Sequence, residues 1–250
     1  MKRLFVYLPC YNEAENIGSL VDQWLAEKEA LASEGYSLTV TPVDDASTDG
    51  TLAVIREKAE ANAEVRCLAH PENKNLGGVL TTAIRDFLGQ AESDDLFCFM
   101  DGDNTHKPRD VHALLRVLPE GRGCAIASRY RPGAEIRGLS ALRKAYSVFA
   151  RIYYTMMLRV PAVRDYTCGY RVYTRAALSA GMEKYGDKLI ENKSFACMME
   201  LLYKLHRSGC RFREAPFSLC YGDKQGASKM RVLKTMRDSL LTAWRLRRSA

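Results

Sequence analysis

Residues 96–103 read Leu96-Phe-Cys-Phe-Met100-Asp101-Gly102-Asp103. Five apolar residues run without a break and then stop at two carboxylates separated by a glycine. A run of that length with no polar alternation is what a strand buried on both faces requires. Ligands of a parallel sheet bind beyond the carboxyl ends of its strands, so the two acids stand where a ligand is met. Two carboxylates one residue apart can share a hard cation, Mg2+ or Mn2+, whose other ligands are phosphate oxygens. A D-x-D pair also occurs by chance in loops, so its weight comes from the strand in front of it.

The flanking sequence repeats the pattern. Strands are predicted over Leu4–Leu8, Ser37–Val43, Val65–Ala69 and Cys124–Ser128. Helices are predicted over Ala14–Ala32, Thr51–Ala63, Gly78–Leu88 and Pro108–Leu118, with Ser47 or Asp49 as a cap for the second. Alternation of this kind predicts an α/β fold, a mostly parallel Rossmann-like sheet with helices on both faces. The residues just past each strand are informative. Pro9-Cys-Tyr-Asn-Glu13 comes after the first, Asp44-Asp45-Ala-Ser-Thr-Asp-Gly-Thr51 after the second, and Arg129-Tyr130 after the last. Ser47–Thr51 suits a turn and helix cap, but two adjacent acids ahead of it exceed what a cap needs. The second half is less regular. Helices are predicted over Ser140–Leu158, Phe195–His206 and Met230–Arg248, a strand over Arg213–Cys220, and a compact aromatic and glycine segment over Asp165–Tyr173.

Composition excludes several classes. Of 250 residues 47% are apolar and 27% charged, ordinary for a globular chain with a sizeable core. Uncharged runs fall well short of a membrane span. The N-terminus opens like a signal peptide but meets Asn12, Glu13 and Glu15 with no cleavage site, so it reads as a first strand. The eight cysteines form no C-x-x-C pair and several lie in apolar runs, which predicts reduced thiols, a cytoplasmic setting and no structural zinc. Asn73–Gly78 lacks the G-K-[ST] of a phosphate-binding Walker loop and the G-x-G-x-x-G of a nicotinamide enzyme. No Ser/His/Asp or Cys/His constellation is legible, and His106 reads as a loop residue rather than a base. Residues 1–128 carry 21 acids and 12 bases, whereas residues 129–250 carry 9 acids and 25 bases. A second half that basic predicts an anionic partner.

The motifs come in one order: Pro9-x-Tyr11-Asn12-Glu13, Asp44-Asp45-x-Ser-x-Asp-Gly-Thr, Asn75-Leu-Gly77, Asp101-x-Asp103, Ser128-Arg129-Tyr130, Cys168-Gly-Tyr-Arg-x-Tyr173 and Gly226-x-Ser-Lys229-Met230. That order resembles the family 2 inverting glycosyltransferases of GT-A fold, and within them the dolichyl- or polyprenyl-phosphate sugar synthases, over about residues 4 to 230. The resemblance implies one glycosyltransferase domain over residues 1–250. Residues 1–128 would bind a nucleotide-diphosphate sugar, 129–230 a polyprenyl-phosphate acceptor, and 230–250 form a basic amphipathic helix. It implies that Pro9, Tyr11, Glu13, Val43 and Asp45 hold the nucleoside, and that Asp101, Gly102 and Asp103 meet the diphosphate and Mg2+ or Mn2+. Arg129, Arg143, Ser147 and Lys229 would contact the acceptor phosphate. Asp103, Arg129, Lys229 and Asp165 would form the catalytic group. Asp165 would orient Arg129 or Arg171 or touch the sugar, or serve only as a salt-bridged structural acid. Glu200 is either a buried paired carboxylate or a sugar contact. Thr105 and Asp223 depart from the branch, which commonly has Gln and Arg there, so the sugar and the base are not carried over.

Such an acceptor resides in a membrane. The Ser140–Leu158 and Met230–Arg248 helices are both amphipathic and basic, and predict peripheral contact with an anionic surface on the inner, cytoplasmic face. Packing of both apolar faces on the core is the alternative. A glycan acceptor is the competing reading, which would need a carboxylate base. A basic module with no catalytic role, binding membrane or nucleic acid, is the remote one. It leaves Asp101 and Asp103 without a task, so no nucleic-acid partner is expected.

Overall fold

A computed structural model describes residues 1–137, 141–220 and 232–248, with the side chains of 136–137, 141–146, 218–220 and 232–236 left aside. The chain opens with β1 (Lys2–Cys10), α1 (Ala14–Ala26), α2 (Lys28–Ser33), β2 (Tyr36–Asp44), α3 (Thr51–Ala61), β3 (Leu68–Ala69), α4 (Asn75–Gln90) and β4 (Leu96–Phe99). A 3-10 turn (Pro108–Asp110) leads into α5 (Val111–Val117), β5 (Gly123–Ser128), β6 (Glu135–Arg137) and α6 (Ala141–Leu158). The remainder is β7 (Arg171–Thr174), α7 (Arg175–Tyr185), α8 (Cys197–Arg207), β8 (Arg211–Pro216), β9 (Ser218–Cys220) and α9 (Val232–Arg248).

Seven strands form one sheet in the order β3-β2-β1-β4-β7-β5-β8, and β6 pairs with β9 apart from it. All neighbours in the large sheet are parallel except β7, which runs antiparallel to both β4 and β5. The α/β expectation holds, and the sheet is mostly parallel but mixed. β4 has every side chain buried, as its apolar run required. Phe97 lies between Tyr7 and Tyr173, with ring centroids 5.1 and 5.9 Å away, so the core runs across the sheet from β1 to β7. α1 lays Ile17, Leu20, Val21 and Trp24 onto it at helical spacing.

Several boundaries differ from the sequence reading. The helix expected over Ala14–Ala32 breaks at Glu27, whose carboxylate meets His112 of α5 at 3.1 Å. The N-cap of α3 is Gly50 rather than Ser47 or Asp49; Asp49 Oδ1 accepts from the Thr51 N–H at 2.9 Å, while Ser47 Oγ accepts from the Asn12 N–H. α4 begins three residues earlier than expected, at Asn75. Within the aromatic and glycine segment lies a strand, β7, and α7 comes next, capped by Thr174 Oγ1 accepting from the Ala177 N–H at 3.2 Å. Cys10, Cys67, Cys98, Cys124, Cys168, Cys197 and Cys210 are free thiols.

Arg171 explains how so short a strand is held. It is fully buried. Its guanidinium donates to the carbonyls of Cys168 (2.8 Å), Met198 (2.7 Å) and Tyr166 (2.8 Å). One side chain therefore ties the loop before β7 to α8. Arg171→Ala would remove a buried charged donor from three carbonyls at once, and is expected to lower unfolding free energy by about 3 kcal/mol or more. Urea denaturation measures this, and Arg171→Lys, which lacks the planar fork, should not restore it.

Candidate functional site

The parallel register sets which strand ends are level. Pro9 pairs with Val43 and Cys10 with Asp44, while Tyr7 pairs with Phe99. Asp101 therefore emerges beside Pro9 and level with Val43, and Arg129 leaves β5 at the same edge. β7 enters from that edge, because it runs the other way. Four non-glycine residues at this rim hold left-handed backbone: Asn12 (φ 55°), Ala46 (58°), Asn75 (59°) and Asn104 (60°). Such strain persists where the surroundings over-determine a loop, and it clusters at functional sites.

Two glycines allow the acidic loop to sit where it does. A Cβ on Gly102 would stand 2.4 Å from the Pro9 carbonyl oxygen, and one on Gly169 would stand 2.7 Å from Asp101 Oδ1. The loop before β7 thus closes directly over Asp101. Asp103 Oδ1 accepts from the Thr105 hydroxyl (2.7 Å) and N–H (3.2 Å). Thr105, where the branch commonly has Gln, is 4% exposed and orients Asp103 from within the loop. His106 stacks on Phe217 at 5.3 Å, with Nδ1 3.8 Å from Asp101 Oδ2. Burial pushes its imidazole down to about 4 against the pull of Asp103, so the ring is neutral at neutral pH.

These residues fit a divalent cation. The donors are hard carboxylate oxygens, and Gly169 leaves the space beside Asp101 that a side chain would fill. Among the described residues no cluster of three His, Cys, Asp or Glu side chains has metal-binding geometry. A cation held here would complete its shell with oxygens of a ligand, which is how Mg2+ is commonly bound beside phosphates.

The residues expected to meet the nucleoside lie along the rim at and beyond the ends of β1 and β2. Tyr11 is exposed, Pro9 half-buried and Val43 fully buried, so Val43 offers backbone only. Glu13 is buried and accepts from Asn16 Nδ2 at 2.8 Å. Asp45 Oδ1 takes two hydrogen bonds, from His70 Nδ1 (2.7 Å) and from the Lys74 N–H (2.8 Å). His70 did not emerge from the sequence, where it sits 25 residues from its partner. The only signal was its place just after β3, on the same edge.

On the far side, Arg129 closes on Asp165 through two parallel bonds, Nε to Oδ2 (2.8 Å) and Nη2 to Oδ1 (2.7 Å). Its Nη2 also donates to Thr167 Oγ1 at 2.6 Å. Among the described residues nothing accepts from Nη1, and the side chain stays 18% exposed. Asp165 is fully buried, with its oxygens also accepting from the N–H groups of Arg129 (3.1 Å) and Cys168 (3.1 Å). Burial alone would raise the Asp165 carboxyl, but the charge and hydrogen bonds of Arg129 hold it below its usual range. Of the partners open to Asp165, the structure gives it Arg129. Glu200 likewise proves to be a paired carboxylate, 2.7 Å from Lys204 Nζ and accepting from two backbone N–H groups. Ser147 Oγ lies 2.5 Å from the Tyr130 hydroxyl, which moors α6 to the residue beside Arg129. Lys229, Ser228, Lys224 and Asp223 lie outside the described residues, as does the side chain of Arg143.

The family described as Glycosyl transferase family 2 matches residues 5–181. Polyprenol monophosphomannose synthase of Mycolicibacterium smegmatis is 29% identical over 229 residues, which span 92% of this chain and 81% of that one. Undecaprenyl-phosphate mannosyltransferase of Micrococcus luteus is 28% identical over 232 residues, 91% and 87% of the two chains. Among solved structures, glucosyl-3-phosphoglycerate synthase from Mycobacterium tuberculosis, in complex with Mn2+, UDP and glucosyl-3-phosphoglycerate, superposes with a TM-score of 0.68 at 16% identity, covering 98% of this chain and 80% of that one. The same enzyme with Mg2+ and UDP gives 0.66 at 17% identity, covering 98% and 79%. At that identity the likeness is one of fold.

The Arg129–Asp165 pair has a pH signature. The folded-state pKa of Asp165 lies below the unfolded value near 4. Its contribution is therefore complete above about pH 4 and is lost as pH falls through the lower folded value. Asp165→Asn is expected to cost about 3 kcal/mol at pH 7. The gap to the wild type should close as denaturation is repeated below about pH 4.

Proposed function

The chain belongs to glycosyltransferase family 2, and we propose on that premise that it moves a hexose, with inversion, from a nucleotide-diphosphate sugar to a polyprenyl phosphate at a membrane surface. The whole chain acts as one domain in this reading, with the donor met by residues 1–128 and the acceptor by 129–230. The observation that carries it is the state of Asp165. A sugar hydroxyl acceptor needs a base to take its proton, and the carboxylate offered for that role is buried with both oxygens engaged. A phosphate monoester is already an anion and attacks without one. It needs an oriented cation, and Arg129 is held by two of its nitrogens while Nη1 keeps its donors for a phosphate oxygen. Asp165 is then a positioning residue, and Arg129, with Lys229 and Arg143, meets the acceptor phosphate.

Pro9, Tyr11, Glu13, Val43 and Asp45 hold the nucleoside, and the Gly102 backbone packs under the diphosphate. Asp101 and Asp103 would hold Mg2+ or Mn2+ together with the diphosphate, and a bound cation offsets the charge of the departing nucleotide. Rate enhancement comes chiefly from placement and electrostatics, since neither reactant requires a strong acid or base.

The acceptor also suits the outer face of α6. Val148, Phe149, Ile152 and Met156 are exposed along it, Phe149 by 58% and Met156 by 63%. α9 lies alongside, with the Tyr153 hydroxyl donating to the Leu240 carbonyl at 3.2 Å, and exposes Leu241 and Trp244. The Arg248 guanidinium stands 4.2 Å over the Trp244 ring. Apolar side chains flanked by arginines fit the boundary of an anionic leaflet. Among the described residues no helix is long and apolar enough to cross a membrane.

The test is transfer from UDP-, GDP-, CDP- and TDP-sugars to a short polyprenyl phosphate, to the matching polyprenol and to an oligosaccharide. Product is expected with the phosphate alone, is abolished by EDTA, and falls about 100-fold in kcat with Arg129→Ala. Transfer to the oligosaccharide and none to the phosphate would establish the glycan-acceptor reading instead. Separately, sedimentation with phosphatidylglycerol vesicles should capture the wild type, and Phe149→Glu with Trp244→Glu should release it about tenfold or more. Equal capture by neutral vesicles would remove the anionic component.

A further inference from the structure

Asp45 sits at the base of the donor side of the rim, and its geometry is one-sided. Its N–H donates to the Cys10 carbonyl at 2.8 Å, so its backbone is fixed against the end of β1. Both side-chain hydrogen bonds it accepts fall on Oδ1, from His70 Nδ1 at 2.7 Å and the Lys74 N–H at 2.8 Å. Among the described residues no donor reaches Oδ2, and Asp45 stays 3% exposed. An ionised carboxylate only accepts hydrogen bonds, so Nδ1 of His70 carries a proton toward it in either charge state of the ring. The other ring nitrogen is met by Thr82 Oγ1 of α4 at 2.9 Å, and a hydroxyl can donate or accept there as the ring requires. The His70 N–H donates to the Asp44 carbonyl at 2.8 Å, so the ring is carried by the backbone that leads to Asp45. His70 is thus clamped at its main chain and at both ring nitrogens, and it clamps one oxygen of Asp45.

We infer that His70, backed by Thr82, is the positioning residue of the nucleobase pocket, holding Asp45 by Oδ1 so that Oδ2 accepts an imide N–H of the donor's base. This rests on the nucleotide-sugar reading given above and adds a rule of selection to it. Uracil and thymine carry N3–H and guanine carries N1–H at the edge a carboxylate would meet. Cytosine presents a bare N3 lone pair and adenine a bare N1 lone pair at the equivalent position. A carboxylate fixed in one orientation accepts from the first group and repels the second. A carboxylate free to turn can instead reach the exocyclic amino group of cytosine. Selection therefore depends on the clamp as well as on the acid.

Isothermal titration of UDP, GDP and CDP in Mn2+ buffer tests this, with wild type, His70→Leu, His70→Asn and Thr82→Val. The wild type should bind UDP or GDP at least about tenfold more tightly than CDP. His70→Leu should bring the preferred nucleotide and CDP to within about twofold of each other, by weakening the first by about tenfold. His70→Asn, whose amide can still donate to Oδ1, should keep most of the preference, and a purely structural role for the ring would not produce that rescue. Thr82→Val should loosen the preference by about threefold in a protein whose own fold is little disturbed, which guards against a misfolded His70→Leu. An unchanged ratio in His70→Leu and Thr82→Val, or a wild type that prefers CDP, would overturn the inference and leave the nucleotide site standing. A folded wild type that binds none of the three would overturn the nucleotide-sugar reading itself.

Discussion

The buried ion pair between Arg129 and Asp165 is the interaction on which the arrangement of the rim depends. Arg129 is the first residue beyond β5, and Asp165 belongs to the loop that leads into β7. Their two bonds of 2.8 and 2.7 Å join a strand end to the loop before β7. Glu214 of β8 supports the same loop, accepting from the N–H groups of Arg164 and Asp165 at 2.6 and 2.7 Å and pairing with Arg131 at 2.9 Å. Asp165 in turn accepts from the Cys168 N–H, one residue before the glycine that closes over Asp101. One carboxylate therefore sets the Arg129 cation on one side and the cover of the acidic loop on the other. A charge buried this deeply is costly unless every lone pair is engaged, and here the loop supplies the donors.

The antiparallel strand makes that coupling possible. A parallel strand in the place of β7 would arrive at the rim by its carboxyl end, and the residues before it would lie at the opposite edge. Running the other way, β7 brings Cys168 and Gly169 to the edge where β1, β2, β4 and β5 end. Its four residues, too short to be secured by side-chain alternation, are secured by Arg171 and its three carbonyls. Two arginines of different chemistry thus share one loop: Arg129 holds it from outside through a carboxylate, and Arg171 from inside through the main chain.

The features that residues alone disclose divide along the same line. Leu96–Met100, Leu4–Leu8 and Cys124–Ser128 are continuous apolar runs, and such runs announce buried strands whatever they pack against. The acidic and basic residues beyond them were legible because position after a strand is a local property. β7 was not legible, since Arg-Val-Tyr-Thr carries a charged residue in a buried strand whose partners lie 3, 5 and 27 residues away. α7 had a signal in Thr174, a good helix cap, but its weak apolar face hid it. His70 and Glu214 were missed for a different reason. Each acts on a residue 25 or 49 positions distant, and no spacing in a single sequence records that proximity. Glu200 was recognisable as an acid among apolar residues, and its partner Lys204 in the fold makes it a paired carboxylate, whereas Asp165, noted for its place before the Cys168–Tyr173 segment, is shown by the fold to pair with Arg129.

The uneven charge of the chain then acquires a physical sense. The half that would bind the donor carries 21 acids against 12 bases, although a nucleotide diphosphate is itself an anion. Acids gathered at an anion site repel the ligand unless a cation lies between them, so the excess on this side favours Mg2+ or Mn2+ at Asp101 and Asp103. Residues 129–250 carry 25 bases against 9 acids, and an anion met there needs no such bridge. The arginines of this half can meet a phosphate directly, and Arg248 of α9 stands over the exposed Trp244 ring. A lipid phosphate presents an anionic group directly above a hydrocarbon chain. The protein presents the matching sequence in space, from Arg129 through the Tyr130–Ser147 contact to the exposed flank of α6. A soluble phosphate would use the arginine and leave that flank without a task. Continuity between the two is what favours an acceptor anchored in a membrane.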